Sequence, residues 1–243
     1  MLSIIIPTLN EEEGIARVLC NIPDKIKRKA EVIVVDVSSD CTPIIAERLG
    51  AKVIRPKRKG KGYQMRIGVQ ESKGDILVFL DGDGTDPPQY IPKLLKKLDK
   101  ADLVLGCRSV KKFKSDDKTM RDVFKLYSLL VQPISHLIGF KASDPLAGFR
   151  VIRRKDWERL ELKSNNFEIE TEMNIKAMQA GFVITEVPIP HLKRGGGLGK
   201  SKFAANPRAW LRIVTAVLKY LKDEKLKTQV IKLKEKLNSQ INI

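Results

Sequence analysis

One stretch of the sequence constrains the fold more than any other: the segment from Ile76 to Pro88, ILVFLDGDGTDPP. Its first five residues are all apolar, which is typical of a strand buried on both faces of a parallel sheet. Acidic and glycine residues follow directly, and two prolines stand where a helix could begin. The stretch therefore predicts a central strand whose carboxyl end carries carboxylates, at the edge where open α/β sheets bind their ligands.

Asp81 and Asp83 are the carboxylates at this strand end, and the glycines beside them let the backbone bend so that both can approach one small object. A divalent cation is held by one or two carboxylates together with phosphate oxygens. The alternative is a polar turn, because aspartate and glycine dominate turns in general. The pattern by itself leaves both interpretations open.

Apolar strands alternate with helical segments along the first half of the chain, and the alternation predicts an α/β fold with a mostly parallel sheet flanked by helices on both faces. Asn10 and Glu13 predict a capping box at the first helix, and Gly50 predicts a helix end. The predicted strands lie at residues 3–7, 31–36, 53–54, 76–80 and 101–106, at a strand that residues 144–150 open and that runs through 152, and at 183–188. The later predicted helices lie at 90–98, 121–138 and 167–180.

Length and charge bound the domain organisation and the partners. The 243 residues suffice for one catalytic domain over 1–203 and a basic, amphipathic helical extension over 204–243. The net charge of +17 favours an anionic membrane surface or phosphorylated substrates. Nucleic acid is disfavoured, since aromatic residues are only 6% and no stacking platform is present. The three cysteines lack metal-site spacing, which indicates a reduced, cytoplasmic chain, and no segment reaches the roughly 20 apolar residues of a membrane helix.

Other polar residues are candidates for binding phosphate or nucleoside. Asp36 ends a second strand and could accept hydrogen bonds from a nucleotide or could cap the next helix. Lys61, between two glycines, could contact a diphosphate or belong to a solvated loop. Arg194 replaces the first glycine of a phosphate-binding loop, which argues against that motif. An arginine cluster could bind a second phosphate, or its members could be solvated; the members are Arg108, Arg121, Arg150, Arg194 and Lys202.

Taken in order, these residues resemble the family 2 glycosyltransferases of GT-A fold, the fold of nucleotide-diphospho-sugar transferases. The motifs that carry the resemblance are Pro7-Thr-Leu-Asn10-Glu11, Val35-Asp36, Gly60-Lys61-Gly62 and Asp81-Gly-Asp83. Three later motifs are similar to the dolichyl-phosphate mannose synthase branch: Asp144-Pro-x-x-Gly148-Phe-Arg150, Glu168-Ile-Glu170-Thr-Glu172 and Arg194…Ser201-Lys202. The loop from Arg194 to Ser201 is longer than the usual pattern of that branch.

The resemblance implies a role for each matching residue. It implies a divalent metal, Mg²⁺ or Mn²⁺, bound by Asp81, Asp83 and Thr85. It assigns the nucleotide-sugar to Pro7, Asn10, Glu11, Asp36, Lys61, Asp81 and Asp83. It assigns the acceptor phosphate to Arg108, Arg121, Arg194, Ser201 and Lys202, and the catalytic residues to Asp81, Asp83, Arg108 and Arg121.

The activity implied by the resemblance is an inverting, metal-dependent transfer of a hexose to a polyprenyl or dolichyl phosphate. The expected donor is GDP-mannose, and the expected location is the cytoplasmic face of a membrane, with peripheral attachment; a homodimer stays open. Alternatives are UDP-glucose or UDP-N-acetylhexosamine as donor, or a soluble acceptor. A hypothesis from a different class is a basic module that binds nucleic acid or an anionic surface.

Overall fold

The computed structural model describes residues 1–108, 142–190, 192–195 and 207–220, with single positions at 228 and 235. Within these residues, seven strands form one sheet in the order β3-β2-β1-β4-β6-β5-β7. All of them run parallel except β6, which is antiparallel to both of its neighbours. The strands are β1 (Leu2–Thr8), β2 (Ala30–Asp36), β3 (Lys52–Ile54), β4 (Ile76–Phe79), β5 (Leu103–Arg108), β6 (Arg150–Arg153) and β7 (Ile184–Ile189).

Helices cover both faces of the sheet, because successive strand residues point to opposite sides. Ile4 and Ile6 belong to one buried cluster and Ile5 to the other. The first cluster includes residues of α1, α3 and α5, and the second includes residues of α4, α6 and α7. The helices are α1 (Glu12–Cys20), α2 (Asp24–Lys27), α3 (Thr42–Arg48), α4 (Lys61–Gln70), α5 (Ile91–Leu98), α6 (Arg154–Arg159), α7 (Glu168–Gln179) and α8 (Pro207–Tyr220), with a 3-10 turn at Pro88–Tyr90.

The predicted α/β class and mostly parallel sheet are confirmed, and local differences are small. Gly50 lies beyond α3 with a φ of +83°, as expected for a glycine that ends a helix. The predicted capping box at α1 is wrong: the helix begins at Glu12, and Asn10 has a φ of 52°. The Asn10 side chain instead accepts a hydrogen bond from the Ser39 amide at 2.9 Å, which ties it to the loop after β2. The predicted helix at 121–138 lies outside the described residues.

The described part of the C-terminal extension packs on the domain. Helix α8 contacts α7, and it buries Ile213, Val214 and Ala216 while Arg212 is exposed. The domain boundary at residues 203 and 204 stays a prediction. Among the described residues, no helix has both the length and the apolar character needed to cross a membrane.

Candidate active site

The turn after β4 brings Asp83 into a closed loop at the carboxyl edge of the sheet. The Oδ1 atom of Asp83 accepts two hydrogen bonds from Thr85, one from its amide at 2.9 Å and one from its hydroxyl at 2.7 Å. Gly84 adopts a φ of +78°. The turn also lies directly on α1, since a Cβ at Gly14 would come within 2.6 Å of the Asp83 carbonyl carbon. Backbone and side chains therefore fix the position of Asp83, which is buried.

Asp81 forms an ion pair with a lysine that a second carboxylate shares. The Nζ atom of Lys61, at the start of α4, lies 2.6 Å from Asp81 Oδ1 and 2.5 Å from Glu170 Oε1. Burial alone would raise the pKa of Asp81, but the charges of Lys61, Arg108 and Arg194 outweigh it and lower the pKa. The carboxylate of Asp81 is therefore charged at neutral pH.

A second cation, Arg194, lies over the same turn. Its guanidinium is 2.7 Å from Asp83 Oδ2 and 3.2 Å from Glu11 Oε1. The next amide, that of Gly195, donates to the Asp83 carbonyl at 2.9 Å. The Nε atom of Arg194 is buried and has no hydrogen-bond partner among the described residues. An unpaired cationic donor beside two carboxylates is a suitable partner for an anionic ligand.

Arg108, at the end of β5, is held by Asp144. The guanidinium donates through Nε to Asp144 Oδ2 at 2.5 Å and through Nη2 to Oδ1 at 3.0 Å, which is a bidentate pair. Asp144 is fully buried, so the pair fixes the plane of the Arg108 guanidinium. Arg150 was predicted either to join the phosphate-binding arginines or to be solvated, and both are wrong because its side chain is fully buried.

Asp86, next to the metal-binding candidates, has an unusual proton affinity. Burial, together with the charges of Asp81 and Asp83, raises the pKa of Asp86 to about 8. Close carboxylates in one desolvated site cannot all be charged unless cations balance them. The protonated acid therefore limits the negative charge that Asp81, Asp83 and Asp86 accumulate together.

The candidates for nucleoside binding lie along the ends of β1 and β2. Pro7 pairs with Val35 in the sheet, and the Glu11 amide donates to Thr42 Oγ1 at 2.9 Å. The Asp36 carboxylate is fully buried and does not cap α3. It instead accepts hydrogen bonds from the Thr8 hydroxyl at 2.8 Å, from the Ser38 amide at 3.0 Å and from the Ser38 hydroxyl at 2.5 Å. Asp36 therefore organises the loop that follows β2.

The structure thus brings most of the predicted site residues to one edge of the sheet, and they are Pro7, Asn10, Glu11, Asp36, Lys61, Asp81, Asp83, Thr85, Arg108 and Arg194. Arg121, Ser201 and Lys202 lie outside the described residues, and their roles stay predictions. Two contributors had no assigned role: Glu170, which shares Lys61, and Asp144, which holds Arg108. Both stand in motifs that carry the family resemblance, which is the signal that could have identified them.

The residues present suit a hard divalent cation. Asp81 and Asp83 offer carboxylate oxygens, which Mg²⁺ prefers, and Mg²⁺ is commonly bound by only one or two carboxylates plus phosphate oxygens. Within the described ranges, no group of three His, Cys, Asp or Glu side chains is arranged to hold a metal. Donor phosphates would therefore have to complete the shell, and Lys61 and Arg194 balance the charges of the two carboxylates.

Gly148 leaves the space that the Asp81 carboxylate occupies, and this gives a testable prediction. A Cβ at Gly148 would lie 2.5 Å from Asp81 Oδ2, so Gly148→Ala should displace the carboxylate by about 1 Å and lower kcat/KM about a hundredfold. Steady-state kinetics with a thermal melt would measure this. The matched control is Gly181→Ala, where no atom lies within 4 Å but φ is +72°. It should lose stability and keep activity per folded molecule; equal activity losses in both variants would contradict the site.

Comparison with known proteins identifies a consistent set of relatives. The model of Glycosyl transferase family 2 matches residues 3–160. A dolichyl-phosphate hexose transferase of Haloferax volcanii is 32% identical over 218 residues, covering 89% of this chain and 94% of that protein. An undecaprenyl-phosphate mannosyltransferase of Micrococcus luteus is 30% identical, covering 82% and 86%. A dolichol-phosphate mannosyltransferase of Pyrococcus furiosus is 31% identical, and the chain spans only 59% of its length.

Solved structures agree on the fold. Glucosyl-3-phosphoglycerate synthase from Mycobacterium tuberculosis, crystallised with phosphoglyceric acid, superposes with a TM-score of 0.69 over 92% of this chain and 81% of that one, at 22% identity. The same enzyme in complex with Mn²⁺, UDP-glucose and phosphoglyceric acid gives a TM-score of 0.67. The predicted GT-A fold is confirmed.

Proposed function

The chain belongs to glycosyl transferase family 2 and is a hexosyltransferase, and we propose that it moves a hexose from a nucleotide-sugar to the phosphate of a polyprenyl lipid. One observation carries the proposal: Lys61, Arg108 and Arg194 surround the Asp81–Asp83 turn. Two phosphorylated substrates require several cations at one site. The similar dolichyl- and undecaprenyl-phosphate transferases support a lipid acceptor.

The donor half of the site uses the strand-end carboxylates. Asp81, Asp83 and Thr85 would hold Mg²⁺ or Mn²⁺, which when bound neutralises the leaving nucleoside diphosphate. Lys61 lies close enough to this position to donate to the same diphosphate. The nucleoside would lie along the ends of β1 and β2, against Pro7, Asn10, Glu11 and Asp36.

The acceptor half needs cations and does not need a strong base. A phosphate monoester with a second pKa near 6 is already largely dianionic at neutral pH. Its oxygen attacks the anomeric carbon, the bond from that carbon to the donor phosphate breaks, and the electron pair leaves with the nucleoside diphosphate. In-line attack of this kind inverts the anomeric configuration. Arg194, Arg108, Arg121, Ser201 and Lys202 would orient the attacking phosphate.

The reaction is tested by supplying defined substrates to the purified chain. GDP-mannose, UDP-glucose and UDP-N-acetylhexosamine, each radiolabelled, would be incubated with Mn²⁺ or Mg²⁺ and either a polyprenyl phosphate or phosphoglyceric acid. We expect label from GDP-mannose in the lipid phase. Label from UDP-glucose in the lipid phase would mean that the donor is UDP-glucose and that the proposed transfer to a lipid phosphate is correct. Label found only on the water-soluble acceptor, or on none, would refute the lipid acceptor.

A lipid acceptor requires the protein to reach a membrane surface, and α8 presents a basic residue for this purpose. Arg212 is exposed on α8, next to the buried Ile213 and Val214. Since a basic residue near an anionic surface contributes about 1 kcal/mol, Arg212→Gln should weaken binding to phosphatidylserine vesicles about fivefold. Vesicle co-sedimentation at low and high salt measures this. Lys25→Gln, an exposed position on α2, is the matched control, and equal effects of the two variants would exclude a specific role for α8.

A further inference from the structure

We propose that Glu170 is a positioning residue for Lys61. It keeps the Lys61 ammonium in position when a divalent cation binds Asp81 and displaces the ammonium from that carboxylate. The inference rests on the metal site of the proposed function and deepens it, because neither the family resemblance nor the relatives assign a role to Glu170. It follows from the geometry of three buried groups and from their charges.

The Lys61 ammonium forms ion pairs with two carboxylates at nearly the same distance. Its Nζ atom lies 2.6 Å from Asp81 Oδ1 and 2.5 Å from Glu170 Oε1. Glu170 is only 3% exposed, so its carboxylate has little access to water. A buried carboxylate is costly unless it is paired, and Lys61 provides that pairing. Glu170 and Lys61 therefore form a unit that persists when Asp81 changes partner.

The backbone holds the two side chains in register. The first turn of α4, which carries the lysine, lies against the loop that leads into α7, which carries the glutamate. The Tyr63 amide donates to the Asn165 carbonyl at 3.0 Å. A Cβ at Gly62 would come within 2.3 Å of the Ser164 carbonyl oxygen. Such close contacts leave little freedom for the pair to separate.

The charges explain why a second acid is useful. A cation at Asp81 competes with the ammonium for the same carboxylate oxygen. If Asp81 were its only partner, Lys61 would either neutralise Asp81 or become an unpaired buried charge, which is strongly unfavourable. With Glu170 present, the ammonium keeps a partner, Asp81 keeps its charge for the cation, and Lys61 stays beside the place of the donor phosphates.

The test measures Mn²⁺ binding to the protein without any substrate, by electron paramagnetic resonance of the free ion. Glu170→Gln should bind Mn²⁺ at least about tenfold more weakly, because Lys61 then pairs with Asp81 alone and cancels its charge. Lys61→Met should bind more tightly than wild type. The double variant Lys61→Met/Glu170→Gln should bind as tightly as Lys61→Met, because without the lysine the loss of Glu170 no longer affects Asp81; this is the signature of a residue that acts through the lysine.

Other outcomes would overturn the proposal. If the double variant binds as weakly as Glu170→Gln, Glu170 contacts the metal itself. If all four proteins bind equally, or none binds, these charges do not set the metal affinity. The matched control is Glu172→Gln on the same helix, which should leave Mn²⁺ affinity unchanged. The Glu172 carboxylate accepts hydrogen bonds from the Lys163 and Ser164 amides. Circular dichroism verifies folding, and if Glu170→Gln alone unfolds, the lysine variant and the double variant still decide. Product assays judge the proposed function separately.

Discussion

Replacing Asp83 by asparagine should lower kcat/KM for hexosyl transfer by about 100- to 1000-fold while the protein stays folded, because charge stabilisation at a metal-bound oxygen is worth several kcal/mol. The substitution keeps the shape and still lets Oδ1 accept the two hydrogen bonds from Thr85 that close the turn. It removes the negative charge that Arg194 balances at 2.7 Å. Kinetics at saturating Mn²⁺, with Mn²⁺ affinity measured in parallel, would give the result.

The same strand offers a matched control for this substitution. Asp75 precedes β4, while Asp83 follows it, so the two acids lie at opposite edges of the sheet. Asp75 pairs with the N-terminus, and its side chain is 83% exposed, so Asp75→Asn should leave transfer unchanged. A folded Asp83→Asn protein with the activity of wild type would disprove the metal-site assignment, whichever sugar is transferred.

The sequence predicted the sheet well because its strands are nearly continuous apolar runs. Residues 76–79 form β4 within the predicted run, and the final strand is displaced by only one residue, to Ile184–Ile189. The direction of β6 was not predictable. Its apolar pattern is the same for either direction, and the path of the preceding chain determines which one is adopted. The antiparallel β6 therefore appears only in the structure.

The site shows the same division between local and distant information. Asp81 and Asp83 could be found because a strand end and adjacent glycines mark them locally. Glu170 could not be assigned a partner, because it meets Lys61 only after the chain folds α7 against α4. Arg150 was misjudged for a related reason: arginine is rarely buried, and the groups that satisfy this one come from a loop and from α7.

Arg150 gives the prediction with the largest expected effect on stability. Its guanidinium donates to the Ala147 carbonyl at 2.7 Å, to Asn174 Oδ1 at 2.6 Å and to the Pro145 carbonyl at 3.0 Å. Arg150→Met would fill much of the volume but leave buried acceptors without a donor. The Pro145 carbonyl keeps the hydrogen bond from Asn174 Nδ2 at 2.8 Å, so two acceptors lose their donor. At about 1–3 kcal/mol for each unsatisfied buried group, the free energy of unfolding should fall by about 2–6 kcal/mol. Urea denaturation at neutral pH measures the loss.

The effect of Arg150 should extend to catalysis, because the loop that it holds contacts the site. Gly148 in that loop abuts Asp81, and Asp144 at its start binds Arg108. Arg154→Met is the control, since Arg154 donates to the Gly74 carbonyl and the Ser72 carbonyl at the other end of β4. Both variants should lose stability, but only Arg150→Met should lose activity per folded molecule. If the two variants keep equal activity per folded molecule, the loop holds its position without the buried guanidinium, and the proposed effect of Arg150 on catalysis is wrong.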